Sequence, residues 1–140
     1  MSNQFRLKNI VFDGQQQAVN ELVSLALTVA RNQRGENHLQ PQDVIKHKFM
    51  REYAELDEAL EHKTRLDALS EVADLVYYSV QDFFATGDEK DLHATIQHVA
   101  EKCGITVQQA YTVALAKYHL RAHNLKNFEA ENAAIEQALR

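Results

Sequence analysis

The sequence predicts an all-α protein, a helical bundle of five to six helices built on a four-helix core. Only four Gly and one Pro occur in 140 residues, which leaves little material for the many turns of a sheet and favours long helices. Apolar residues recur at intervals of three and four along the long segments, the period of a helix with one buried face. At 45% hydrophobic and 25% charged, the chain has the composition of a globular protein rather than a disordered one. A single domain over 1–140 would bury about 70% of its unfolded surface, enough for one core.

Residues 1–14 read as an extended lead-in, with Ile10, Val11 and Phe12 expected to dock on the body. From 15 to 34, Ala18, Leu22, Leu25, Ala26 and Val29 fall at helical period and define the first helix. Gly35, Asn37 and Pro41 mark a loop. Pro41 and Asp43 suit the first turn of the second helix, one through its fixed backbone angle and the other through the helix dipole. That helix, 41–62, places Ile45, Phe49, Leu56, Ala59 and Leu60 on one stripe, with Glu52 inside it. The polar break at 62–65 suits a short loop between antiparallel helices. The third helix, 67–86, is apolar nearly all round between Val72 and Val80, interrupted by Asp74. Gly87 and Asp88 end it, and Asp88 can cap a fourth helix that runs to Lys102. Gly104 then stands where a helix stops. Thr106 with Gln109 is a capping box that opens a fifth helix, to His123. An amphipathic helix at 128–139, within an extra segment 127–140, closes the chain.

Two acid pairs, Glu52 with Glu55 and Glu71 with Asp74, sit on the second and third helices. Spacing by three leaves two helical side chains roughly 60° apart around the axis, so each pair reaches one spot. Both pairs stand symmetrically about residue 63, so a hairpin there sets Glu55 against Glu71 and Glu52 against Asp74. Four carboxylates converging on one site repel one another and require a positive charge. A hard divalent cation with oxygen ligands meets that need, and magnesium commonly bridges carboxylates to phosphates. The competing reading is a structural ion network with Lys or Arg from another helix. Acids are rarely buried unpaired, and Glu52 and Asp74 sit among apolar neighbours. Asp57, Glu58, Glu61, Asp67 and Asp82 read as solvated surface. No Glu is followed three residues later by His, so the di-iron pattern of helical bundles is missing and Mg2+, or Mn2+, is preferred.

The fifth helix carries Lys117, Arg121 and, one turn on, Asn124 as a stripe of donors on one face. Such a stripe grips phosphate oxygens, Lys as a point charge and Arg as a fork. Equally, it serves as a solvated basic face or as counter-ions for the acids. His119 and His123 have the i, i+4 spacing of a zinc pair but no third ligand, and read as surface residues. No Gly-rich phosphate loop, nucleophile elbow or Cys–His pairing is present.

Net charge of −5 argues against a general nucleic-acid binder. It leaves a nucleotide substrate open, because one metal site inverts the local field. Cys103 is the single cysteine, which excludes a disulfide framework and fits a cytoplasmic location. The N-terminal residues lack an apolar run of signal-peptide length. No run approaches the ~18 apolar residues of a membrane span.

The pattern Glu52-x-x-Glu55, fifteen residues, then Glu71-x-x-Asp74, in the settings EYAELDEAL and SEVADLVYYSV, resembles the all-α nucleoside triphosphate pyrophosphohydrolases. That superfamily includes MazG-like proteins, dimeric all-α dUTPases and phosphoribosyl-ATP pyrophosphohydrolase. The likeness runs over roughly 15–124. Many members have Asn directly after the lysine, where this chain has Tyr118. The resemblance implies a MazG-like bundle in which Glu52, Glu55, Glu71 and Asp74 hold magnesium. It implies water attack at the α-phosphorus of a (deoxy)nucleoside triphosphate, with Glu55 or a neighbouring carboxylate as base. Lys117 and Arg121 would contact phosphate. Gln17, Asn20, Tyr78 and Asn124 are possible substrate contacts. A homodimer or homotetramer is implied as well. Phosphoribosyl-ATP is the alternative substrate, and a non-catalytic oligomerisation or regulatory module is the alternative from another class.

Overall fold

Helix α3 (Arg65–Thr86) is the axis of this molecule, in keeping with an apolar run that only Asp74 and Ser79 interrupt between Val72 and Val80. The computed structural model describes residues 6–123 and 126–140. Around α3 stand α1 (Gln15–Val29), α2 (Gln42–His62), α4 (Glu89–Lys102), α5 (Val107–Ala122) and α6 (Phe128–Ala138). All five touch it, and no strand occurs among the described residues. The all-α class and the helix count are those the sequence predicts. Val72, Ala73, Leu75, Val76 and Val80 of α3 are fully buried, and Leu22, Leu56, Ile96, Ala110 and Ile135 meet them from the surrounding helices. A residue such as Leu56, with no exposed surface, contributes about 1.5–3 kcal/mol by leaving water.

The α2–α3 hairpin has the most extensive contact in the fold, and its turn is tighter than expected. Only Lys63 and Thr64 lie between the helices. The Thr64 hydroxyl accepts from the Asp67 amide at 3.1 Å and the Asp67 carboxylate accepts from the Thr64 amide at 3.3 Å, so a reciprocal cap starts α3 two residues early. Pro41 stands just outside α2, as its cap residue, rather than in the first turn. Gly87 ends α3 at φ +72°, a conformation that favours glycine. Thr106 with Gln109 and Asp88 with the Asp91 amide cap α5 and α4 as the sequence indicates.

Three local expectations are corrected. Of the three lead-in residues expected to dock, Phe12 does, its ring 5.5 Å from that of Tyr111, while Ile10 and Val11 are exposed and Leu7 packs on the core instead. The lead-in is also held by backbone bonds: Glu89 accepts from the amides of Lys8 and Asn9, and the buried Gln15 accepts from Val11. Leu60 is exposed and lies off the buried stripe of α2. The first helix does not continue as one α-helix to Arg34 but widens into a π-helical turn over Ala30–Arg34. In that turn the Asn32 amide donates to the Ala122 carbonyl at 2.6 Å, satisfying the end of α5 and tying both helices together near the acids. Among the described residues, no helix is long and apolar enough to cross a membrane.

Candidate metal centre

The hairpin brings Glu52 and Glu55 of α2 and Glu71 of α3 together. One carboxylate oxygen from each lies within 4.8 Å of the others. Two oxygens on one cation are separated by at most about 4.2 Å for magnesium and about 5.2 Å for calcium, from bond lengths of 2.0–2.1 and 2.3–2.6 Å. The trio therefore has the span of a single hard-cation site, needing at most a small closure for magnesium. The three acids line a cleft of about 780 Å3 between α2, α3, α5 and α6.

Electrostatics record the crowding. Burial, followed by the neighbouring Glu71 and Glu55 carboxyls, pushes Glu52 up to about 9. Burial also raises Glu71, opposed by its hydrogen bond with Glu52 and assisted by the charges of Asp74 and Glu55. Of this hydrogen-bonded pair, Glu52 is thus the member pushed further toward its protonated form, with Glu71 as the acceptor. The other Glu71 oxygen, Oε2, is buried with no hydrogen-bond partner among the described residues. A buried carboxylate oxygen without a donor is what a cation would satisfy, and these all-oxygen ligands suit magnesium or manganese rather than a softer metal.

Asp74, the fourth expected ligand, is placed differently. It lines the same cleft but does not belong to the trio. Its Oδ1 accepts from Lys117 Nζ at 2.8 Å and from the Tyr118 hydroxyl at 2.7 Å. Lys117 is 2% exposed, and its remaining protons go to the Ser70 hydroxyl at 2.8 Å and the Ser70 carbonyl at 3.2 Å. Tyr118 is held flat against Tyr77, centroids 3.6 Å apart. Lys117 therefore acts in this structure as a counter-ion, with its hydrogen-bonding capacity used. Arg121 also lines the cleft, but its Nε and Nη2 donate to the fully buried Glu131 of α6 at 3.1 and 3.4 Å, bonds that do not use Nη1.

Tyr78 lines the cleft too, and burial raises its hydroxyl to about 12. Gln17 and Asn20 are exposed on α1 and do not line it. Asn124 lies outside the described residues. The cleft's other cations, Lys48, Arg51, Lys63 and Lys126, were not anticipated. A signal existed for two of them: Lys48, Arg51, Glu52 and Glu55 form one polar stripe at spacings of three and four on α2. Gln33, carried by the π-helical turn, and Phe128 and Asn132 of α6 complete the cleft wall and carry no pattern in sequence. Comparison with family models, with curated proteins and with solved structures returned no match.

Proposed function

We propose that this chain is a magnesium-dependent nucleotide pyrophosphohydrolase that cleaves a (deoxy)nucleoside triphosphate to the monophosphate and pyrophosphate. One observation carries the reading: three carboxylates from the two hairpin helices face one point of a cleft rimmed by lysine and arginine, with a buried Glu71 oxygen left unpaired. The acidic centre suits a divalent cation and the basic rim suits the polyphosphate that accompanies it. The resemblance of the two acid pairs to the all-α pyrophosphohydrolases supplies the reaction.

Glu52, Glu55 and Glu71 would hold the cation, which when bound neutralises charge on the phosphates. Glu55 is the exposed member of the trio and is the group able to accept a proton from water entering the cleft. Asp74, fixed by Lys117 and Tyr118, ties α3 to α5 beside the trio. Arg121, clamped by Glu131, offers Nη1 to a phosphate oxygen, and Lys48, Lys63 and Lys126 add positive charge for the departing pyrophosphate. Assembly into a homodimer or homotetramer belongs to the same proposal and is read by light scattering.

The test is a panel of ribo- and deoxyribonucleoside triphosphates, with phosphoribosyl-ATP included, incubated with the protein and Mg2+. The proposal expects cation-dependent pyrophosphate release that Glu55→Gln lowers by at least about a hundredfold, the lower range for a general base. Phosphoribosyl-ATP turning over in preference to all others selects that alternative substrate. Release that is absent, or unchanged in Glu55→Gln, refutes the proposal. The engagement of Asp74 by Lys117 and Tyr118 favours one second reading, a non-catalytic helical oligomerisation or regulatory module. It predicts no change in melting temperature on adding Mg2+.

A further inference from the structure

A second cavity, of about 320 Å3, opens between α2, α3 and α4. That volume lies at the lower end of small-molecule sites, about 300–1,000 Å3. Ile45 and Phe49 contribute apolar wall, and Ser79, Asp82 and Asp91 contribute polar groups. Tyr78 borders both this cavity and the acidic cleft, so the two sites share a wall. Lys46 is the one cation lining it among the described residues and is exposed.

Ser79 is the informative residue. It is 7% exposed, and its hydroxyl is buried without a hydrogen-bond partner among the described residues. A helical serine ordinarily satisfies that hydroxyl on the carbonyl one turn back. Leaving it unpaired beside a cavity destabilises the empty protein, and a ligand accepting that bond would relieve the cost. The carboxylates point to the ligand's other edge. Asp82 spends one oxygen on the Gln42 amide at 3.2 Å. Partial desolvation, then the charges of Asp88 and Asp82, raise Asp91, which stands exposed at the cavity's edge with Lys46 opposing them, and leave it able to accept from a ligand donor. The distance along α3 also fits. From Glu71 of the trio to Ser79 is eight residues, roughly 12 Å along the axis of α3. The sugar and phosphate chain of one nucleotide can bridge such a span.

We infer that this cavity is the base-binding subsite of the nucleotide site, shaped for a heteroaromatic ring that carries an exocyclic amine. The inference rests on the proposed nucleotide activity and names what that activity selects. The ring lies against Phe49 and Tyr78. Its amine donates to Asp82 or Asp91, and a ring nitrogen accepts from Ser79. Cytosine and adenine present an amine and a bare ring nitrogen side by side. Thymine and uracil present a carbonyl oxygen where the amine would be, so their acceptor would face a carboxylate.

The test compares kcat/KM for cytidine and adenosine triphosphates with those for thymidine and uridine triphosphates, using the full chain and Mg2+. The amine-bearing pair should lead by about tenfold or more, the scale of one hydrogen bond to a charged group. Ser79→Val, which removes the hydroxyl and narrows the cavity, and Asp82→Asn, which is conservative at a partly exposed position, should each draw that ratio toward one. A ratio that neither substitution changes overturns the inference. A second measurement needs no turnover: the NMR signal of the Ile45 δ-methyl during titration with cytidine or adenosine. Both nucleosides should shift it in the native chain and neither should shift it in Ser79→Val. If Ile45 stays still while triphosphates are hydrolysed, the base binds elsewhere and the inference fails. If Ile45 moves while no triphosphate is hydrolysed, the subsite stands and the catalytic proposal fails.

Discussion

Replacing Glu52 with Gln tests whether the acidic trio is held at a cost in stability. In the metal-free protein the Glu52 carboxyl is raised from 4.5 to about 9. A raised acid means that the fold prefers the proton. The fold carries no penalty below about 4.5, where the unfolded chain is protonated as well, and it is destabilised progressively as pH climbs toward 9. At pH 8 the unfolded chain has released a proton that the fold still retains, a cost of at most about 5 kcal/mol at ~1.4 kcal/mol per pH unit. Water in the open cleft screens this to on the order of 1–2 kcal/mol. Glutamine keeps the shape, keeps a donor toward Glu71 and has no charge to suppress. In EDTA at pH 8 the variant should therefore melt about 3–8 °C above the native chain, the shift that 1–2 kcal/mol gives a domain of this size. At pH 5 the two should nearly coincide. The assay is thermal unfolding followed by circular dichroism from pH 5 to 8.5. With Mg2+ at a hundred times its Kd the native chain should gain about 2.7 kcal/mol, and the variant, lacking one ligand, much less. A variant that is less stable than the native chain at pH 8, or a difference that is flat across the pH range, refutes the reasoning.

Three further outcomes follow from the contacts behind the trio. Lys117→Met leaves the Asp74 carboxylate buried without its cation and should cost about 3–5 kcal/mol in urea unfolding, with part recovered when Asp74→Asn is added. Tyr118→Phe keeps the stack on Tyr77 but removes the hydroxyl from Asp74, a loss of about 1–3 kcal/mol in the same assay. Glu131→Ala strips the buried partner from Arg121 and should cost about 3–5 kcal/mol, with hydrogen exchange quickening first in α6 and leaving the centre of α3 protected.

The helices were legible because their information is local. Apolar period, two capping signals and Gly87 and Gly104 mark most boundaries within a residue or two. The boundary that shifted, the start of α3, turns on a reciprocal cap made by Thr64 with Asp67, where Asp stands in for the usual Glu or Gln. The trio was legible for the same reason: acids placed symmetrically about a two-residue turn are carried to one point by the hairpin itself. For Asp74 the sequence left two readings open, a cation ligand or an ion pair with a basic helix, and its pairing with Lys117 and Tyr118, 43 and 44 residues away, is one that no spacing within one helix selects. Arg121 is similar. Its guanidinium reads as free for phosphate until α6 folds back and buries Glu131 against it. Gln17 and Asn20 lie on a solvent face of α1, and nothing in their helix indicated which face would meet the cleft. The second cavity was invisible in sequence, since it arises where three helices diverge beside Ser79.

Calorimetric titration of the native chain with Mn2+, repeated on Glu52→Gln, Glu55→Gln and Glu71→Gln, addresses the cation site most directly. Saturable binding in the native chain that weakens by tenfold or more in each of the three variants is the predicted result, about the cost of losing one charged ligand. No binding to the native chain, or binding of equal strength in all four proteins, would contradict it.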